Sequence, residues 1–239
     1  MKHTLLLTAT ALLLCACANT ATTYQQALDR STACCGDLSS IAYAPLSVGK
    51  AVDVQLGTQP GKFASRLVGA LGGQVPDGDN TVKPLAVREF TPPNGTPYKS
   101  YFQAFALPAN AGTVNIQSWL SHLLLEKASL LKPQLLWLDA QYQPIATSTA
   151  APAVVWGNDF FSGIHAIHEF AVPNNTARYV LIYGDVTAVG TRVTFNPELH
   201  KMAGRNNTPG SGPGMLNQKA APAVDIPYAV GGELTVVVR

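Results

Sequence analysis

Leu14-Cys15-Ala16-Cys17 is the spacing in this chain that most directly implies a reaction. It follows the pattern of a bacterial lipobox: an aliphatic residue, two further residues of which the second is small, then the cysteine whose sulfur takes a diacylglyceryl group. Cys17 fits that frame. Cys15 does not, because Leu14 would fill the place that calls for a small side chain. Upstream, Met1-Lys2-His3 is a short positive start and Leu5 to Leu14 an apolar run of ten residues. That length suits the core of a signal peptide, whereas a spanning helix needs about 20 residues. Residues 1–16 are therefore expected to be a lipoprotein signal peptide, with Cys17 the lipid attachment site. Fatty acyl (palmitate-type) chains on its sulfur and its amine would hold the chain stably, since one chain binds marginally and two or more do not let go. An Asp after the modified cysteine commonly marks inner-membrane retention. Ala18 in that place points to the periplasmic face of the outer membrane of a Gram-negative bacterium.

Cys34 and Cys35 are the other two thiols. An oxidising compartment disfavours idle exposed thiols. Adjacent cysteines rarely pair, because the eight-membered ring strains the peptide between them. A vicinal disulfide, two buried thiols and intermolecular bridges all remain open, with a structural role favoured. Two neighbouring ligands alone do not make a metal site, and no metal or cofactor is expected.

Other spacings imitate catalytic ones and lack the context. Ser47-Val-Gly-Lys50 has the S-x-x-K form of penicillin-recognising enzymes, but the S-x-N and K-T-G that accompany it are missing. Gly210-Ser-Gly-Pro-Gly214 has no closing Lys and no strand–helix pattern around it, so it is not a phosphate loop. His165 and His168, with Glu169, stand three apart, which on a strand turns them to opposite faces. Asp139, Asp159, Asp185 and Asp225 could supply a hydrolytic pair, yet spacing selects no two of them; Asp185 reads as a strand-end turn. Trp119, Trp137 and Trp156 could stack on sugar rings. Trp119 and Trp137 lie in apolar strands and are expected in the core. Trp156, in a Trp-Gly-Asn-Asp stretch that reads as a turn, is the weak candidate for a ligand contact.

The elements that must carry these residues are mostly strands. The chain has 239 residues, 47% hydrophobic and only 13% charged, with net charge +2. Charge is about half the usual quarter of a soluble domain, and the 16 Lys and Arg are dispersed, which excludes a basic nucleic-acid binder. Removal of the signal takes Lys2 with it and leaves a net charge of +1. Residues 17–39 are read as a lipidated tether and a short helix from Tyr24 to about Ser39. From residue 40 the period becomes two. Ala51–Leu56, Tyr101–Leu107, Thr113–Leu120, Gln134–Leu138, Phe160–Val172, Tyr179–Tyr183, Thr191–Phe195 and Glu233–Val238 read as strands. Leu123–Leu131 is open between strand and helix. Pro76–Asn80 and Pro92–Gly95 are turn clusters, and Asn206–Leu216 reads as a mobile loop. The pattern predicts one mostly β domain over residues 40–239, an antiparallel β-sandwich.

Phe105-Ala-Leu-Pro-Ala109, Lys132-Pro-Gln-Leu-Leu-Trp-Leu-Asp139 followed by Pro144, Arg178-Tyr-Val-Leu-Ile-Tyr183 and Asp225-Ile-Pro-Tyr-Ala-Val-Gly-Gly-Glu-Leu-Thr-Val236 resemble, in order and spacing, the maltose operon periplasmic protein family. The resemblance covers roughly residues 40–239. It implies a periplasmic accessory protein of maltose and maltodextrin uptake with no enzymatic activity. The alternative is an envelope interaction module that binds a porin or another outer-membrane partner.

Overall fold

The computed structural model describes residues 25–26, 28–57, 86–92, 95–120, 128–149, 154–156, 165–173, 175–195 and 223–239. Fourteen strands lie within them: β1 (Ala44–Pro45), β2 (Ala51–Leu56), β3 (Ala86–Phe90), β4 (Tyr98–Ala106), β5 (Thr113–Trp119), β6 (Leu130–Leu131), β7 (Pro133–Leu138), β8 (Pro144–Thr149), β9 (Val154–Trp156), β10 (His165–Ala171), β11 (Tyr179–Gly184), β12 (Arg192–Phe195), β13 (Val224–Ala229) and β14 (Gly232–Val238). The first sheet runs β1-β4-β11-β7-β8, with β3 also paired to β4, and the second runs β2-β14-β5-β10-β9. A small third sheet, β12-β13-β6, lies beside them. Apart from β1 on β4 and β13 on β6, the pairings are antiparallel. The mostly β sandwich read from the sequence is the observed fold.

Alternation along the strands builds the two layers. From the first sheet, Val87, Tyr101, Phe105, Leu135, Trp137, Val180 and Ile182 enter one buried cluster. They meet Val54, Leu56, Val114, Ile116, Phe170, Leu234, Val236 and Val238 of the second sheet there. Trp137 is fully buried and its indole Nε1 donates to Ser148 Oγ at 2.8 Å, so its one polar atom is satisfied inside the core. The opposite parity of the first sheet forms a second apolar face. Phe90, Phe102, Ala104, Leu138, Leu181 and Tyr183 lie there, with Leu136, Tyr98 and Tyr179 partly buried beside them.

That outer face is covered by the chain that precedes β1. Cys35, Leu38, Ile41 and Tyr43 pack on it. Cys34 N–H donates to Val87 O at 2.7 Å, and Lys99 Nζ donates to the carbonyls of Asp29 and Ser31. Farther back, Leu28 is fully buried in the main core. The strap is not the helix expected from Tyr24 to Ser39. Helical backbone covers residues 25–26 and 28–30, the chain is irregular after Ser31, and a 3-10 turn spans Leu38–Ser40. Thr32, adjacent cysteines and Gly36 are poor helix formers, and the strap gains more by pairing with β3 and capping an apolar face.

Two further expectations change. Trp156 is not in a turn: it ends strand β9, carried there by the β-branched pair Val154 and Val155, and its register partner is His165. Trp119 is not in the core but half-buried, stacked at a tilt on His165 with ring centroids 4.7 Å apart. Its strand parity puts it on the outer face of the second sheet, where its indole N–H donates to Thr235 Oγ1 at 2.9 Å.

Candidate functional site

Two groups of chemistry-bearing side chains lie at opposite ends of the outer face of the first sheet. At one end is a buried ion pair. Lys132 stands between β6 and β7, and Asp185 follows β11; Asp185 N–H donates to Lys132 O at 2.8 Å, which aligns the two side chains. Lys132 Nζ lies 3.0 Å from Asp185 Oδ2, with the carboxylate side chain only 4% exposed. Burial pushes the Asp185 carboxyl up. Hydrogen bonds from Thr187, Lys132 and Gln134, with the lysine charge, outweigh it and hold the group below its ordinary value. Around it, Tyr98 Oη donates to Gln134 Oε1 at 3.2 Å. Ser100 Oγ accepts from Gly184 N–H at 3.0 Å. Tyr183 stacks on Phe90 with parallel rings whose centroids are 3.8 Å apart. Burial raises the phenols of Tyr98 and Tyr183, and the Asp185 charge adds to it. The ion pair and the hydrogen bonds of Asp185, Tyr98 and Ser100 are all internal, so this end is a locked polar junction.

At the other end three tyrosines from three separate elements meet. Tyr43 comes from the strap, Tyr142 from the β7–β8 turn and Tyr179 from the start of β11. Ring centroids are 4.6 Å apart for Tyr43 and Tyr179, 4.6 Å for Tyr142 and Tyr179, and 5.4 Å for Tyr43 and Tyr142. All three are partly exposed. Tyr43 Oη donates to Leu38 O at 2.9 Å, and burial pushes its phenol up to about 12. Hydrogen bonding with Tyr179 raises the Tyr142 phenol. Arg88 flanks the group; its guanidinium donates to Cys35 O.

The turn explains how Tyr142 gets there. Asp139 Oδ1 accepts from the backbone N–H of Gln141 at 2.8 Å and of Gln143 at 2.9 Å, and Asp139 O accepts from Tyr142 N–H at 3.1 Å. One carboxylate thus closes a tight connection and leaves Tyr142 at φ 60°, a left-handed conformation rare for a bulky residue.

The residues singled out from sequence fall elsewhere or in other roles. Asp139 closes this turn. Asp185 is the buried anion, and Asp225 accepts from Thr194 Oγ1 at 2.8 Å across β12–β13. Asp139 and Asp185 sit at opposite ends of the β7–β11 pair, about 20 Å apart along the strands, so they form no hydrolytic couple; Asp159 lies outside the described residues. Ser47 to Lys50 is a turn leading into β2, with Lys50 N–H donating to Ser47 O at 3.2 Å. His168 faces inward beside Phe170, and His165 faces outward on Trp119. Register places Trp119, His165 and Trp156 in one row across β5, β10 and β9. Cys34 is joined to Cys35, whose φ is 64°. Among the described residues no three of His, Cys, Asp and Glu converge as metal ligands. The signal, Cys17, the Pro76–Asn80 cluster and the Gly210–Gly214 loop lie outside the described residues.

Neither a curated protein nor a solved structure matches the chain. A family model does. Residues 97–210, which take in β4 through β12 and with them Tyr142, Tyr179 and the Lys132–Asp185 pair, match the model described as maltose operon periplasmic protein precursor (MalM), the family that the sequence resembles.

Proposed function

We propose that this chain is an accessory lipoprotein of maltose and maltodextrin transport. It is anchored through Cys17 to the periplasmic face of the outer membrane and has no enzymatic activity. The observation that carries the reading is the match of residues 97–210 to a family described as a maltose operon periplasmic precursor. The word precursor agrees with an N-terminal export signal, and Leu14-Cys15-Ala16-Cys17 supplies the acylation frame. The site chemistry supports a binding rather than a reacting role. The ion pair that could have served as an acid–base couple is held by internal hydrogen bonds, and at the other end of the same face the partly exposed groups are the phenols of Tyr43, Tyr142 and Tyr179.

Uptake of labelled maltodextrin by cells lacking the chain tests this. Uptake should fall, return on expression of the full chain, and leave glucose uptake unchanged. Equal maltodextrin uptake with and without the chain overturns the transport link.

A further inference from the structure

We propose that Tyr43, Tyr142 and Tyr179 form a stacking site for a neutral oligosaccharide, and, resting on the transport reading above, that its ligand is a maltodextrin. Three features of the molecule support the site, and the first is convergence. Three rings from three elements meet within 5.4 Å yet stay partly exposed, whereas the aromatic rings that serve the fold, Phe90, Phe102 and Tyr183, are buried. The second is the conformation of Tyr142. At φ 60° a glycine or asparagine would sit more comfortably, so the turn holds an aromatic ring where backbone preference alone would not place one. The third is the surroundings. Gln141 and Gln143, both exposed, flank Tyr142; the Gln143 amide donates to Gln141 O at 3.3 Å, and its Oε1 with the Gln141 amide adds groups that accept and donate. Arg178, next to Tyr179, spends its guanidinium on the carbonyls of Asn175 and Ala177. Asp139 spends its carboxylate on backbone N–H groups. A surface of apolar ring faces, phenolic hydroxyls and amides, with its charges already engaged, suits a ligand of apolar C–H faces and many hydroxyls and no net charge. The rings are also fixed in advance: Tyr43 by its bond to Leu38 O, Tyr142 by the turn and Tyr179 by β11. Little side-chain freedom is lost on binding.

Calorimetric titration of the detergent-solubilised full chain with maltoheptaose tests the site. The unaltered chain should bind, and Tyr179→Ala and Tyr142→Ala should each weaken binding by about tenfold or more, the equivalent of about 1.4 kcal/mol. Tyr142→Gly is the decisive variant. It removes the ring at a position whose backbone favours glycine, which offsets part of the lost ring packing, so it should keep the fold by circular dichroism at 25 °C and still lose binding. Tyr142→Phe should keep most of it. Maltoheptaose binding that is unchanged in Tyr142→Gly and Tyr179→Ala overturns the site while leaving the transport reading intact. No maltoheptaose binding by the unaltered chain also overturns the site, and the uptake measurement then judges the transport reading separately.

Discussion

Asp185 shows why an acidic residue in a charge-poor chain need not be catalytic. Its carboxylate is nearly out of water, and three donors surround it. Removing the cation would leave the anion buried and uncompensated, a change that costs about 3–5 kcal/mol in buried pairs. Lys132 is 21% exposed, which places Lys132→Met at about 3 kcal/mol by urea denaturation at pH 7. The sign with pH follows from the lowered carboxyl. A group whose folded value lies below its unfolded value of 3.8 stabilises above that pH, and its contribution fades as the pH falls through the folded value. The gap between the unaltered chain and Lys132→Met should therefore narrow below about pH 4. An equal gap at pH 7 and pH 3 would mean that the pair contributes through packing and not through charge. Neither residue could have been paired from sequence, because what joins them is the closing of β6–β7 against the end of β11.

At the scale of elements, the fold depends on close approaches that only glycine permits. Gly231, at the corner between β13 and β14, lies so near β2 that a Cβ there would stand 2.5 Å from Leu56 O, a backbone atom that cannot swing aside. Gly231→Ala should cost about 1–3 kcal/mol, visible as a lowered melting temperature. Gly36→Ala, with nothing within 4 Å of the added carbon, should change it little. Equal effects of the two would contradict the close packing of the β13–β14 corner on β2. The legibility of a strand follows its local pattern. β2 was legible to the residue, and β4, β5, β7, β11, β12 and β14 to within a few residues, since alternation or an apolar run marks them. β3, β8, β9 and β13 were not read. Arg88 and Glu89 interrupt β3, β8 is a polar edge strand of Thr, Ser and Ala, and Pro227 breaks the pattern of β13. The strand character of β3, β8 and β13 comes from the partners they pair with, and β9 has strand-forming residues but is only three residues long.

For the whole molecule, the strap that carries the chain away from the expected lipid joins the body instead of hanging from it. Leu28 is in the main core and Leu38 on the outer face of the first sheet, which leaves a short reach between Cys17 and the body. Acylation at Cys17 would thus hold the sandwich close to the bilayer. Cys17→Ala should move the protein from the membrane fraction to the soluble periplasmic fraction. Continued sedimentation with membranes would remove the lipid anchor from the proposal.

By itself the sequence determined the layer architecture and the family resemblance, because each is written in local order: period-two alternation, and short motifs in fixed succession; the apolar run before Ala16 and Cys17 is likewise local, and the proposed acylation rests on it. Only the tertiary structure decided which polar residues act together. Lys132 meets Asp185, and Tyr43 meets Tyr142 and Tyr179, across strand pairings that bring distant positions into register. The physical reason is that a ring or a charge has no preferred partner until backbone hydrogen bonding fixes which strands are neighbours. The face it then occupies depends on a parity that a single residue of register would reverse.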